Sequence, residues 1–251
     1  MEKMTSRIQK LEFLLKQMDK IHLRDAAEML NVSEMTIRRD LVSCASSVIL
    51  LGGYIVKDPK THAQKGYRIF EQQEKNTAEK MYLGKLAASL IEDGDVVFFD
   101  CGSTVPFIAT QINDDIKFTA LCCSINAFLA LQEKPNCDLI LCGGRYSRHN
   151  AFLNRIQRHS ELEDMICTNK AFISAAGVAI QQGVTCFNFD EAKAKQRVME
   201  KTQQAFLVVD HSKFNRVEQA YIADLSAFDT VICDKPAPTA FIDKLPTLIF
   251  K

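Results

Sequence analysis

The sequence has no surplus of charge: 31 Lys and Arg stand against 31 Asp and Glu. Bulk basicity is therefore excluded as a source of nucleic-acid affinity, and residues 1–60 hold only ten Lys/Arg against eight acids. The nine cysteines are an odd number and include no Cys-x-x-Cys pair. That argues against a disulfide framework and against the common zinc spacing. Cys122, Cys123 and Cys142 stand in apolar runs, where a thiol behaves as a small hydrophobe. No apolar stretch approaches the roughly 18 residues needed to span a membrane. The first apolar residues, Ile8, Leu11, Leu14 and Leu15, are interrupted by Lys10, Glu12 and Lys16, which is not a signal-peptide pattern. Internal repeats and low-complexity tracts are also missing. These absences leave a cytoplasmic, globular chain of ordinary composition, with no metal, cofactor or membrane expected.

What is present falls into three regions. Residues 1–57 read as short helices followed by a hairpin, and residues 58–75 as a polar linker. Residues 76–251 alternate strand-length apolar runs with helical segments. The runs are Val96–Phe99, Phe118–Cys122, Leu139–Cys142, Ala171–Ser174, Phe206–Val209 and Thr230–Cys233. Helical spacing lies between them, as in Thr77–Ile91 (Met81, Leu83, Leu86, Ala87, Leu90) and Ile125–Leu131. Such alternation predicts βαβ units: an α/β fold with a mainly parallel sheet and helices on both faces.

In the first region, Ile8, Leu11, Leu14, Leu15 and Met18 share one face of an initial helix. A second helix, Leu23–Leu30, carries the small residues Ala26 and Ala27 where two helices must approach closely. Asn31, Val32 and Ser33 form a tight turn, and the Ser33 hydroxyl can accept the Thr36 amide as the N-cap of a third helix. At about 100° per residue, Ile37 and Leu41 face inward. Met35 and Arg39 then face outward, flanked by Thr36 and Arg38. Guanidinium groups can pair with guanine or phosphate, and a methyl or thioether can contact a thymine methyl, so this face suits a major groove. Val48–Leu51, the Gly52-Gly53 turn and Tyr54–Val56 predict a hairpin wing. The candidate DNA-contacting residues are Ser33, Met35, Thr36, Arg38 and Arg39. A small helical cap with solvated arginines is the bland alternative, but it leaves the Ala-Ala helix, the turn and the hairpin unexplained together.

In the third region, the strand ending Phe98-Phe99-Asp100 runs into Gly102-Ser103-Thr104 and then an apolar helical stretch with Pro106 in its first turn. Backbone amides and hydroxyls at such a turn favour an anion. Other strand ends carry Ser124 and Asn126, Gly143 and Gly144, Ser174–Gly177, and Asp210–Lys213. Ligands of open α/β sheets bind at the carboxyl ends of strands, so these turns are candidates for one shared pocket. Each also has a local reading: the paired glycines for positive φ, Asp210 with Lys213 for a surface ion pair.

The pattern Ala26-Ala27-x-x-Leu30-Asn31-Val32-Ser33-x-x-Thr36-Ile37-Arg38-Arg39-Asp40-Leu41 resembles the signature of the DeoR family of bacterial sugar-metabolism repressors, and the resemblance extends over nearly the whole chain. The segment after Arg38-Arg39-Asp40 is shorter than the family's usual one, and Leu51 replaces the histidine that usually precedes the paired glycines. The resemblance implies a winged helix-turn-helix domain joined to an effector domain similar in fold to ribose-5-phosphate isomerase. It further implies a homo-oligomeric repressor on double-stranded operator DNA, controlling a sugar or deoxyribonucleoside catabolic operon and released by a phosphorylated sugar such as deoxyribose 5-phosphate. The phosphate is then expected near Gly102, Ser103 and Thr104, with Asp100 and Lys213 at family-typical positions. Ser124, Asn126, Gly143, Gly144 and Gly177 complete the candidate ligand-binding set, and Glu191 is a weaker candidate.

A sugar-phosphate isomerase with an accessory helical domain is the competing reading. Isomerisation needs a carboxylate placed to move a proton between adjacent carbons. Ala175-Ala176-Gly177 stands where related isomerases carry acids, and with the N-terminal module this favours a sensor over an enzyme. A module whose arginine face binds an acidic protein partner is the third possibility.

Overall fold

The computed structural model describes residues 2–18, 20–43, 48–57, 69, 72, 75–155, 166–244 and 247–250. The chain divides into two compact units, Met1–Gly66 and Tyr67–Lys251. Most of the segment read as a linker lies outside the described residues.

In the first unit, α1 (Glu2–Gln17), β1 (Lys20–His22), α2 (Leu23–Leu30) and α3 (Glu34–Ser43) precede a hairpin of β2 (Val48–Leu51) and β3 (Tyr54–Lys57). Ile8, Leu11, Leu15, Ile21, Leu23, Ala26, Ile37, Val48 and Ile55 form its core. Met18, expected on the inner face of the first helix, falls beyond the end of α1 and is exposed. Strand β1 was not legible in the sequence: three residues pair antiparallel with β3, giving the sheet order β1-β3-β2.

In the second unit the described strands form a seven-stranded parallel sheet. Its members in spatial order are β15 (Thr247–Ile249), β14 (Thr230–Ile232), β12 (Thr202–Val208), β9 (Thr168–Ser174), β4 (Val96–Phe99), β5 (Phe118–Cys122) and β6 (Cys137–Leu141). The central strands carry continuous apolar runs, Val96–Phe99 in β4 and 205–208 in β12 for example, because both faces are covered there. Val97, Phe99, Ala120, Phe172, Phe206 and Val208 point to one face, packed with the apolar residues of α4 (Thr77–Ala88), α5 (Val105–Ala109) and α6 (Ile125–Leu131). Phe98, Leu121, Ala171, Ile173, Ala205 and Leu207 point to the other. That face receives α7 (Phe189–Met199) and a small antiparallel sheet of β10 (Gly177–Ala179), β11 (Gly183–Cys186) and β13 (Ala220–Ala223). A further hairpin pairs β7 (Arg145–Ser147) with β8 (Phe152–Asn154).

The chain passes from β4 outward to β5 and β6, then returns to lay β9 on the opposite side of β4, followed by β12 and β14. The connection direction therefore reverses between β4 and β9. The crevice outside the carboxyl ends at such a reversal is where open α/β sheets bind ligands. Helix α4 ends at Ala88, three residues short of the expected Ile91. Its buried face is Lys80, Leu83, Gly84, Ala87 and Ala88, while Met81 is exposed. Gly84 is buried there because a Cβ would meet the Phe107 carbonyl oxygen at 2.3 Å, so α4 rides close on α5.

Candidate functional sites

The first unit presents an exposed helix face. Asn31 closes α2 in the left-handed conformation (φ 51°), and Val32 N–H donates to the Ala27 carbonyl at 3.0 Å. This turns the chain so that α3 starts at once. Ser33 Oγ accepts from Thr36 N–H at 3.2 Å and shares a 2.9 Å hydrogen bond with Thr36 Oγ1, which fixes the first turn of α3. Ile37 is buried, and Asp40 is buried against Arg7, whose Nε and Nη2 each lie 2.7 Å from Asp40 Oδ2. With α3 clamped on that side, Met35, Arg38 and Arg39 stand exposed on the other, Met35 by 72%. The hairpin turns through Gly52 (φ 57°) and Gly53 (φ 84°), a conformation that favours glycine at both positions. Leu51 and Tyr54 are exposed on either side of it, and Lys20 Nζ lies 4.9 Å over the Tyr54 ring. His22 joins the pieces: its Nδ1 accepts from Arg24 N–H at 3.3 Å to cap α2, and its ring meets Tyr54 edge-on.

The second unit has a polar cleft of about 380 Å³ at the carboxyl ends of β4, β9 and β12, where the connections reverse. Gly102, Ser103 and Thr104 form one wall, Ser174–Ala176 another, and Ser212, Lys213 and Arg216 a third. The N–H groups of Gly102, Ser103 and Thr104 donate to no acceptor among the described residues. Gly102 has to be glycine, because a Cβ there would lie 1.9 Å from Ser174 Oγ. Lys213 Nζ stands 3.8 Å from Asp210 Oδ2. Asp210 also accepts from Ser212 N–H at 3.0 Å and Asn76 Nδ2 at 3.3 Å. Burial works to raise the Asp210 carboxyl, but Ser212, Lys213 and Asn76 outweigh it and hold it below the usual carboxylate range.

Beneath the Ser174 wall lies a buried charge cluster. Lys195 Nζ lies 2.9 Å from Asp100 Oδ2 and 2.7 Å from Glu191 Oε1, and donates to the Ser174 carbonyl at 2.8 Å. Burial opposes the Lys195 charge, but the Asp100 and Glu191 carboxylates prevail and hold the ammonium well above its usual range. Asp100 Oδ2 also accepts from Ser174 N–H at 2.9 Å and Ser174 Oγ at 2.6 Å. Glu191 Oε2 accepts from Asn150 Nδ2 at 3.3 Å. The cluster thus fixes the cleft wall through Ser174, and Asp100 Oδ1 is buried with no donor among the described residues.

Of the expected ligand residues, Gly102, Ser103, Thr104 and Lys213 line this cleft together, joined by Glu191. Asp100 sits behind the wall rather than on it, because its carboxylate is turned to Ser174 and Lys195. Gly177 is also behind the wall, where a Cβ would lie 2.5 Å from the Arg216 carbonyl oxygen. Four residues lie elsewhere. Ser124 caps α6 by accepting from Ala127 N–H at 3.2 Å, and Asn126 is in the first turn of that helix. Gly144 (φ 152°) lets the backbone pass Asn154, where a Cβ would lie 2.1 Å from its carbonyl oxygen. Gly143 borders a separate, mainly apolar cavity of about 250 Å³ beside Cys123, Phe152 and Val198. They sit by β5 and β6, outward from the reversal point. Sequence reasoning missed Asn76, Lys80, Lys195 and Arg216. The available signal was Lys80 and Lys195 occurring at the helical spacing of buried neighbours, Leu83 and Ala87 for one, Glu191 and Ala192 for the other.

Residues 7–60 match the DeoR-like helix-turn-helix domain, and residues 75–235 match the DeoR C terminal sensor domain. The chain is 47% identical over 220 residues to the deoxyribose operon repressor of Escherichia coli (strain K12), covering 88% of this chain and 86% of that protein. It is 31% identical over 238 residues to the HTH-type transcriptional repressor GlcR of Bacillus subtilis (strain 168), covering 94% and 90%. Among solved structures, ribose 5-phosphate isomerase A from Methanocaldococcus jannaschii aligns with 56% of this chain and 55% of its own, at a TM-score of 0.42 and 16% identity.

Proposed function

The chain belongs to the DeoR family of sugar-operon repressors, and we propose that it represses a sugar or deoxyribonucleoside catabolic operon and is released from its operator by deoxyribose 5-phosphate. One observation carries the sensing half of this reading: three backbone N–H groups with no acceptor among the described residues line a cleft with a lysine at the reversal point of a parallel sheet. Such a cradle fits a phosphate. Lys213 supplies a cation to the phosphate or a donor to a sugar hydroxyl. Glu191, which lines the cleft, is an acceptor for the sugar's hydroxyls, and Asp100 acts from behind the wall by fixing Ser174. The choice of sugar follows the deoxyribose operon repressor, which is 47% identical to this chain over 220 residues.

The DNA half rests on α3. With Ile37 and Asp40 turned inward, Thr36, Arg38 and Arg39 are offered to base edges and phosphates, Met35 to a thymine methyl, and Ser33 holds the turn that aims them. A single such module buries little surface on DNA, so the active species is a homo-oligomer on double-stranded operator DNA. It acts in the cytoplasm. No helix among the described residues is long and apolar enough to cross a membrane. The effector shifts DNA binding only by binding one state of the protein more tightly than the other. A repressor with an idle sugar site explains the cleft better than an isomerase does, since Ala175-Ala176-Gly177 offers no acid and Glu191 is held by Lys195 and Asn150.

Gel retardation of promoter DNA tests the assignment of α3. Arg38→Ala or Arg39→Ala should each weaken sequence-specific binding by about 1–3 kcal/mol if it contacts a base edge. Unchanged specific binding in both variants would place the DNA contact elsewhere.

A further inference from the structure

Lys80 is a buried lysine that forms no ion pair among the described residues. It lies on the inner face of α4, 4% exposed, and lines the same cleft as Lys213. Its ammonium donates to the Gln72 carbonyl oxygen. The charges that face it are Lys213 and Asp210 from the loop after β12, and Lys75 and Glu79 from its own end of the molecule. Asp210 is already engaged by Ser212, Asn76 and Lys213. An ammonium removed from water without a partner is costly and tends to give up its proton. Burial first, and Lys213 second, bring Lys80 down to about 8. An anion seated on the Gly102–Thr104 amides, in the cleft that Lys80 and Lys213 both line, would supply a counter-charge.

We propose that Lys80 makes this cleft selective for a doubly charged phosphomonoester, and that its amine, wherever it is neutral in the free protein, takes a proton from solvent as the ligand seats. The inference rests on the reading of the cleft as a phosphate site. The step makes and breaks no covalent bond other than the N–H formed. A phosphomonoester loses its second proton near pH 6, so it arrives as the dianion at about pH 8. Sulfate esters and phosphodiesters carry one negative charge and gain less from the pair of lysines. In the ligand-free protein Lys80 is about half protonated near pH 8, and the bound dianion raises its proton affinity. Ligand affinity is therefore nearly flat between about pH 7 and 8. It falls at higher pH by up to about tenfold per unit, because binding then requires an extra proton.

Calorimetric titration of the full chain with deoxyribose 5-phosphate, in two buffers of different ionisation heat, reads this proton directly. The expected uptake is about half a proton at pH 8 and little at pH 7. Lys80→Arg should keep binding and lose the uptake, since arginine stays charged at every accessible pH. Lys80→Met, checked for folding by circular dichroism, should lose affinity by roughly ten- to a hundredfold. No uptake by the native protein, equal uptake by Lys80→Arg, or unchanged affinity in Lys80→Met overturns the proposal. If deoxyribose 5-phosphate fails to bind but ribose 5-phosphate or inorganic phosphate binds with Lys80-dependent uptake, the choice of sugar fails and the role of Lys80 stands. If none of the three binds, the phosphate site and the role of Lys80 fall together.

Discussion

Replacing Lys195 by methionine tests whether the cleft of the second unit is held by buried charge. The ammonium is 1% exposed and serves Asp100, Glu191 and the Ser174 carbonyl at 2.7–2.9 Å. Methionine fills a similar volume but leaves two carboxylates inside the protein with no cation between them. Breaking a buried ion pair from one side costs about 3–5 kcal/mol, most of it the uncompensated charge that remains. In a unit of this size each kcal/mol moves the midpoint by roughly 2–4 °C, so Tm of the second unit should fall by about 6–20 °C. Differential scanning calorimetry measures that shift. Adding Asp100→Asn and Glu191→Gln to Lys195→Met should recover much of the loss, because the buried charges are then gone. Since Ser174 is fixed by this cluster, Lys195→Met should also lose its response to effector at temperatures where it remains folded. A Tm within about 2 °C of the native value, or a triple variant less stable than Lys195→Met alone, would show that the cluster does not hold the wall.

Two further substitutions separate the sites. In Gly102→Ala the new methyl must displace Ser174, whose hydroxyl is bound to Asp100 at 2.6 Å; overpacking of this kind costs about 1–3 kcal/mol. Effector binding, measured by calorimetry, should be lost while operator retardation persists; retained binding would mean that the ligand does not use this turn. In Asp40→Asn the Arg7 clamp loses its charge, which costs about 1.5–3 kcal/mol and lowers the melting point of the smaller first unit by roughly 6–24 °C. Operator binding should then fail on warming before the second unit unfolds, as followed by circular dichroism; an unshifted first transition would contradict the clamp.

The central strands were legible because burial on both faces leaves continuous apolar runs, as in Val96–Phe99 and Phe118–Cys122, whose limits the structure reproduces. Thr168–Ser174 and Thr202–Val208 begin earlier than their apolar runs do, since Lys170 is satisfied by Asp95 at the start of the sheet and Gln203 and Gln204 are exposed. The small sheet of β10, β11 and β13 was not legible: its strands are three or four residues long and gain their meaning only from pairing. The helix-turn-helix was readable because its determinants are local, from the Ser33 cap to the spacing of Ile37 and Leu41. The cleft was only half readable. Gly102–Thr104 and Lys213 announce themselves at strand ends, but which turns share a pocket depends on strand order. That order places β9 beside β4 and β12 beside β9, and sends Ser124 and Gly143 outward. Lys80 and Lys195 were hidden because a lysine on a helix is ordinarily solvated, and only tertiary packing removes these two from water.

Release of operator DNA by a sugar phosphate tests the switch itself. In a titration of the protein–operator complex followed by fluorescence anisotropy, deoxyribose 5-phosphate should free the DNA at concentrations where ribose 5-phosphate acts weakly. Lys213→Ala should bind the same operator and require more ligand. A complex that persists at millimolar deoxyribose 5-phosphate, or that dissociates equally well in Lys213→Ala and the native protein, would contradict a phosphate-gated repressor.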